Sequence, residues 1–222
     1  MATRNLLCRA LFWACSGLSA FGVNASPVFI NNASFETLPP GGLPFGCGIG
    51  CSYSEGLVPG WTVTGGSTGQ FRPGSPANMA YFDSIPDGLT VAYTNGGSLS
   101  QTVGATVQLG FIYQLLVDQG LRRDIPDPGV IELLIGGTPI VASGVAAAPG
   151  GWSTYTATYI GTAADVGKSI SILLISAGPQ GDWDNVRLDA GPVSTAIPEP
   201  ATIALVGIAL AGLGMQRRRP TH

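Results

Sequence analysis

The chain has 222 residues, of which 10% are charged, 33 are glycine and 17 are proline, and its formal net charge is −3 at pH 7. Between residues 26 and 197, five basic residues face twelve acids, leaving that stretch near −7. This balance excludes nucleic-acid binding, which needs clustered lysine and arginine; the one histidine, His222, lies in the tail, so the body of the chain lacks the commonest general base and metal ligand.

At the N-terminus, Arg4 and Arg9 lead into an apolar stretch over 10–23, which closes on the small-residue site Val23-Asn24-Ala25. The pattern predicts a secretory signal peptide over 1–25, cleaved after Ala25. A lipoprotein reading of Cys15 fits poorly, because Phe12 and Trp13 stand where small residues are wanted. Cys8 and Cys15 leave with the peptide. Cys47 and Cys51 remain, in PFGCGIGCSY, and in an exported chain they are expected to form a disulfide. Two thiolates without histidine make an incomplete zinc site.

Strand patterns then follow one another along 26–190. WTVT, LTVAYT, SLSQTV, FIYQLLVD, VIELLIGG, WSTYTATYI, SISILLIS and DNVRL are short runs parted by Gly, Pro and Asn. In FIYQLLVD, Phe111, Tyr113, Leu115 and Val117 share a face; in VIELLIGG, Ile131, Leu133 and Ile135 do. Tyr155, Ala157 and Tyr159 line one face of WSTYTATYI, with threonines on the other. Such alternation predicts an all-β sandwich of two antiparallel sheets, each burying one face. GVAAAPGG over 144–151 reads as a loop. GPVSTAIPEP from Gly191 reads as a flexible stretch, with 191–197 the linker to the tail.

The tail holds Pro198, Glu199 and Pro200, then an apolar run of fifteen residues, 201–215, then Arg217, Arg218 and Arg219. As a helix, the run spans roughly 22 Å, short of the roughly 30 Å of a bilayer core. The prolines block easy extension at its start, and the arginines would stay on the cytoplasmic side. A core helix with three consecutive arginines at its end fits poorly. The expectation is a short transmembrane helix, held briefly and then processed.

In that order of features the tail resembles the PEP-CTERM sorting signal of exopolysaccharide-producing Gram-negative bacteria. The resemblance implies an exosortase-type protease as partner, cleavage near Pro-Glu-Pro, transient residence in the inner membrane, and a final place in the cell envelope or extracellular matrix. The body resembles the galactose-binding-like jelly roll common among carbohydrate-binding modules. NNASFE is similar to that family's opening, and VPGWTV, IPDGLTVAYTNGGSLSQTV and WDNVRL follow in its order.

The jelly-roll resemblance implies a structural calcium site at Glu36 and Asp184, with Asn31 and Asn32 as further oxygen donors. Parity adds a hint: if Val186 and Leu188 face the core, Asp184 does too, and a buried carboxylate needs a metal, a cation or dense hydrogen bonding. The bland reading is an Asp184 that accepts backbone hydrogen bonds in a turn. A glycan site would use an aromatic platform with polar groups beside it. Trp152, Trp183, Tyr81 and Arg122 are its candidates, with Trp183, opposite in parity to Asp184, the more exposed ring. Trp61 and Tyr113 are assigned to the core. Acid pairs for glycoside hydrolysis are Asp182 with Asp184, Asp83 with Asp87, and Asp124 with Asp127; all read as ordinary loop acids. The expected protein is therefore a non-catalytic, exported module that binds polysaccharide, or a purely structural matrix protein.

Overall fold

The computed structural model describes residues 25–193, apart from 49, 76–77 and 126–128. The signal peptide and the sorting tail lie outside the described residues. In chain order the first strands are Ser26–Pro27 (β1), Phe45–Gly46 (β2), Ser52–Tyr53 (β3), Thr62–Thr64 (β4) and Ser67–Arg72 (β5). Gly74–Ser75 (β6), Asn78–Met79 (β7), Val91–Asn95 (β8), Gly97–Thr106 (β9) and Phe111–Gly120 (β10) follow. The last are Val130–Ile135 (β11), Thr138–Val141 (β12), Trp152–Ile160 (β13), Ser169–Ser176 (β14) and Gly181–Pro192 (β15). β15 runs into the stretch read as linker, because Gly191 and Pro192 pair with Ile112 and Phe111.

The two antiparallel sheets form a sandwich. The large sheet runs β13-β10-β15-β8-β5-β3-β2, with β1 against β15; the small one runs β12-β11-β14-β9-β4. Every alternating run named from the sequence is a strand or lies across one. Tyr113, Leu115 and Val117 of β10 meet Ile131, Leu133 and Ile135 of β11 and Ile170, Ile172 and Leu174 of β14 in one core. Trp61 and Tyr113 are buried in it, as expected. The tyrosine hydroxyl bonds the backbone at Thr106 and Gln108, so burying it leaves no polar orphan.

Burial does not stop at the interior. Val91, Tyr93, Phe71 and Phe82 form a second apolar cluster with Cys51. Register shows where it lies. Ala92 belongs to the main core, while Val91 and Tyr93, its neighbours on β8, belong to the second cluster. Successive side chains of a strand point to opposite faces, so this cluster covers the face of the large sheet turned away from the small one. The loop carrying Phe82 and the ring of Trp152 from β13 lie down on it where glycine leaves room. A Cβ at Gly120 would sit 2.8 Å from the Phe82 ring and 2.9 Å from the Trp152 ring.

One irregularity decides the phase of the last strand. Leu116 pairs with Arg187, but Asp118 pairs with Asp184, so β15 carries one extra residue opposite Val117. That β-bulge centres on Asn185, whose φ is +49°, a conformation asparagine tolerates better than most residues. Val186 and Leu188 face the core, and beyond the bulge so does Trp183. The parity expectation is thus corrected: Trp183 is fully buried, and Asp184 shares its face with Asp182 instead of with Val186.

Candidate functional site

Pairing across the large sheet lays out the outer face in rows. Trp152, Gly120, Asp182, Tyr93 and Gly69 are successive cross-strand partners from β13 to β5. In the neighbouring row, Asn95 of β8 pairs with Ser67 of β5, and on the other side Phe71 pairs with Val91 and with Tyr53. Over this part of the sheet is a pocket of about 170 Å³ lined by Cys47, Tyr53, Ser67, Phe71, Tyr93, Asn95, Arg122 and Gln180.

Its walls are aromatic. Tyr93 meets Tyr53 at 6.1 Å and Phe71 at 6.3 Å between ring centroids, both edge-on, a favoured geometry for such pairs. The Tyr93 hydroxyl donates to the Ser54 carbonyl, and burial raises its pKa above the ordinary value. Polar groups gather at the other side. Arg122, nearly buried, holds Asp124 in a two-pronged ion pair at 2.7 and 2.9 Å and donates to Gln180 at 2.7 Å. The Arg122 hydrogen bonds keep the Asp124 carboxyl below the usual range. The guanidinium also lies 4.2 Å from the Tyr81 ring centroid and 5.7 Å from that of Phe71, within cation–π range. Its charge is thus already matched, so Arg122 braces the pocket edge and is no free receptor for an anion.

Gln180 passes the link on: its amide donates to Asp182 Oδ1 at 2.8 Å. Asp182 is fully buried, and its Oδ2 has no hydrogen-bond partner. Burial raises its pKa to about 7, against the smaller opposing pulls of Gln180 and Arg122. A buried acid therefore stands one hydrogen bond behind the pocket wall. The chain of contacts is Asp124, Arg122, Gln180, Asp182.

Residues 26–189 match the family described as HpiC1-like, HpiC1 cyclase. The chain belongs to the HpiC1-like family. Among solved structures the chain is similar to the Stig cyclase Fisc from Fischerella sp. TAU, in complex with (3Z)-3-(1-methyl-2-pyrrolidinylidene)-3H-indole. It is 27% identical, with a TM-score of 0.63 and a match covering 77% of this chain and 100% of that one. A cyclase from Fischerella sp. TAU in complex with 4-(1H-indol-3-yl)butan-2-one is 28% identical, with the same TM-score and coverage. The carbohydrate-binding module TmCBM61, solved with β-1,4-galactotriose, is 16% identical at a TM-score of 0.45, covering 73% of this chain and 98% of that one. No curated protein matches the sequence. Residues 196–219 match the PEP-CTERM protein-sorting motif, which takes in Pro198, Glu199, Pro200 and Arg217 to Arg219. That motif implies export to the cell envelope and exosortase-type processing.

The residues named from sequence scatter over this HpiC1-like domain. Arg122 lines the pocket, and Tyr81 supports it from behind. Trp152 packs on Phe82 with centroids 4.7 Å apart and donates its ring N–H to the Ser84 carbonyl, so it anchors a loop. Trp183 is in the core. Among the calcium candidates, Glu36 Oε1 accepts the N–H groups of Leu89 and Thr90, and Asp184 accepts those of Asp87 and Asn185. Burial first, then the nearby charges of Asp87 and Glu36, lift the Asp184 pKa to about 8. Asn31 stands apart: its backbone N–H and carbonyl are bonded to Gln101 of the small sheet. Asn32 ties the opening loop through Thr37 and Pro59. Among the described residues no three acids, cysteines or histidines gather as a metal cage.

The acid pairs also sort themselves. Asp83 pairs with Arg123 and Asp124 with Arg122. Asp182 and Asp184 are buried strand residues on one face, not loop acids. Sequence reasoning missed Tyr53, Tyr93, Ser67, Asn95 and Gln180 as pocket residues. One signal was present: Val91, Ala92 and Tyr93 are successive apolar residues in VAYTN, and a strand apolar on both faces is covered on both.

Proposed function

We propose that the exported domain binds a small ligand with a flat ring in the pocket walled by Tyr53, Phe71 and Tyr93. The observation that carries this reading is the pocket itself: three aromatic walls beside a polar edge of Arg122, Gln180, Asn95 and Ser67. Aromatic lining with a few placed polar groups is the composition of small-molecule sites. At about 170 Å³ the pocket falls below the roughly 300–1,000 Å³ of drug-sized sites, which suits one ring system. Membership of the HpiC1-like family supports the choice of an indole-type ring, because the two Fischerella relatives were solved with such compounds. The reading stops at binding. Among the described residues no carboxylate lines the pocket, and Asp182 stands behind Gln180.

Titration calorimetry with 4-(1H-indol-3-yl)butan-2-one tests this proposal. Saturable binding, weakened tenfold or more by Tyr93→Ala or Phe71→Ala, is the expected result. No heat above dilution, or equal binding by the variants, refutes it. The polar edge favours a second reading, a sugar ring of an envelope polysaccharide stacked on Tyr53. Affinity electrophoresis against the host's exopolysaccharide separates the two: retention lost in the Tyr53→Ala variant supports the sugar. The sorting motif supports a site of action in the envelope or matrix of a Gram-negative bacterium. A dication is proposed between Glu36 and Asp184, without Asn31: carboxylate oxygens are what calcium takes, and the charge of Glu36 disfavours ionisation of Asp184.

A further inference from the structure

Cys47 and Cys51 are joined in a disulfide, with Cα atoms 5.1 Å apart. This bond closes the tip of the β2–β3 hairpin, and the hairpin is part of the pocket wall. Cys47 lines the pocket itself, and Tyr53 of β3 contributes a ring. The hairpin is the edge of the large sheet: β3 pairs with β5 and β2 with β3, and Cys51 packs with Phe71 and Phe82. Each strand is two residues long, and Cys47 N–H to Cys51 carbonyl (3.3 Å) and Cys51 N–H to Gly48 carbonyl (3.0 Å) are its tip bonds. Among the described residues β2 has no strand on its outer side, so the covalent link restricts the tip beyond what pairing with β3 supplies.

The disulfide also reaches the polar edge. The Cys47 carbonyl accepts the Tyr81 hydroxyl at 2.8 Å. The Tyr81 ring lies under the Arg122 guanidinium, and Arg122 holds Gln180. The cross-link thus fixes one end of a chain of contacts that crosses the pocket: Cys47, Tyr81, Arg122, Gln180. Loosening the tip frees the Tyr81 hydroxyl and loosens both walls together.

We propose that the Cys47–Cys51 disulfide is a redox gate on this pocket, so that the ligand site is complete only in the oxidised chain. The gate rests on the binding reading above. The sorting motif at 196–219 says when it would act. Cysteines stay reduced before export and are oxidised after it, so the site forms at the destination and not on the way. In reverse, a dithiol reductant gives two electrons and two protons to the S–S bond. It leaves as its own disulfide, and Cys47 and Cys51 become two thiols.

The test uses the full chain in three forms: oxidised, reduced with dithiothreitol, and as the Cys47→Ser/Cys51→Ser double variant. Hydrogen exchange is read at 45–53 and, as an internal control of the fold, at β9 and β14. Exchange at 45–53 is expected to rise roughly tenfold or more on reduction, with β9 and β14 unchanged. Affinity for 4-(1H-indol-3-yl)butan-2-one is expected to fall by a similar factor in both disulfide-free forms. Tyr81→Phe keeps the disulfide and removes only the hydroxyl, and it is expected to lose affinity several-fold while oxidised. Equal exchange at 45–53 in oxidised and reduced protein overturns the gate whatever the ligand. So does unchanged affinity despite faster exchange. A probe that binds none of the forms overturns the binding reading, while the exchange comparison still decides whether the disulfide holds the wall.

Discussion

Asp182→Asn is the substitution whose effect can be worked furthest from the structure. The wild-type carboxyl is fully buried, takes one hydrogen bond from Gln180, and has an Oδ2 without a partner. Its folded pKa is about 7 against an ordinary aspartate value of 3.8. Below pH 4 both folded and unfolded chains carry the proton, and the group adds no pH dependence. Between pH 4 and 7 the unfolded chain releases the proton and the folded one keeps it. Stability then falls as pH rises, by up to about 1.4 kcal/mol per pH unit. Over the whole window the loss comes to about 4 kcal/mol, and above pH 7 it levels off. Asp184, raised to about 8, adds a parallel fall. Asparagine keeps the Oδ1 acceptor for Gln180 and abolishes the titration. Its amide nitrogen in place of Oδ2 carries a pH-independent penalty, which cancels when slopes are compared. Urea unfolding at pH 5, 6 and 7 reads the slopes. The variant is expected to lose stability less steeply than wild type, by about 1 kcal/mol per pH unit. Coincident slopes would refute the reasoning, since they would mean that burial does not hold the proton on Asp182.

The carboxylates Glu36 and Asp184 give a second expectation: thermal melts in calcium and in EDTA should differ, with calcium raising Tm, and superimposable melts would sink the dication. Gly120→Ala drives a methyl against the Phe82 and Trp152 rings and should destabilise by about 1–3 kcal/mol in urea unfolding; a neutral change would mean these two rings do not rest on Gly120. Asn185→Val places a β-branched residue at a φ of +49° and removes the side-chain bond to Asp118. A loss of about 2 kcal/mol or more is expected, and wild-type stability would argue against the bulge.

Much of the interior was legible in the amino-acid order. Tyr113, Leu115 and Val117, or Ile131, Leu133 and Ile135, show their shared face by spacing alone, because one side of an antiparallel sheet excludes water. Asp184 and Trp183 show where that reasoning stops. Counting back from Val186 gives the wrong phase, since one extra residue at Asn185 turns the strand over, and nothing in WDNV marks it. The pocket was less legible still. Tyr53, Phe71, Tyr93, Arg122 and Gln180 come from five separate stretches of chain and meet only because β3, β5, β8, β10 and β15 assemble around one face.

What the linear order determined by itself were the features read locally. The sorting motif is three signals in a row, and the alternating strands are a period of two that records which side of each strand meets water. The Cys47–Cys51 pair belongs with them, because its partners are four residues apart. Tertiary structure alone decided which face carries the site. That choice depends on strand pairing between residues far apart in the chain, such as Asp182 with Tyr93, and on a single bulge. Long-range register, unlike burial, leaves no periodic trace in the sequence.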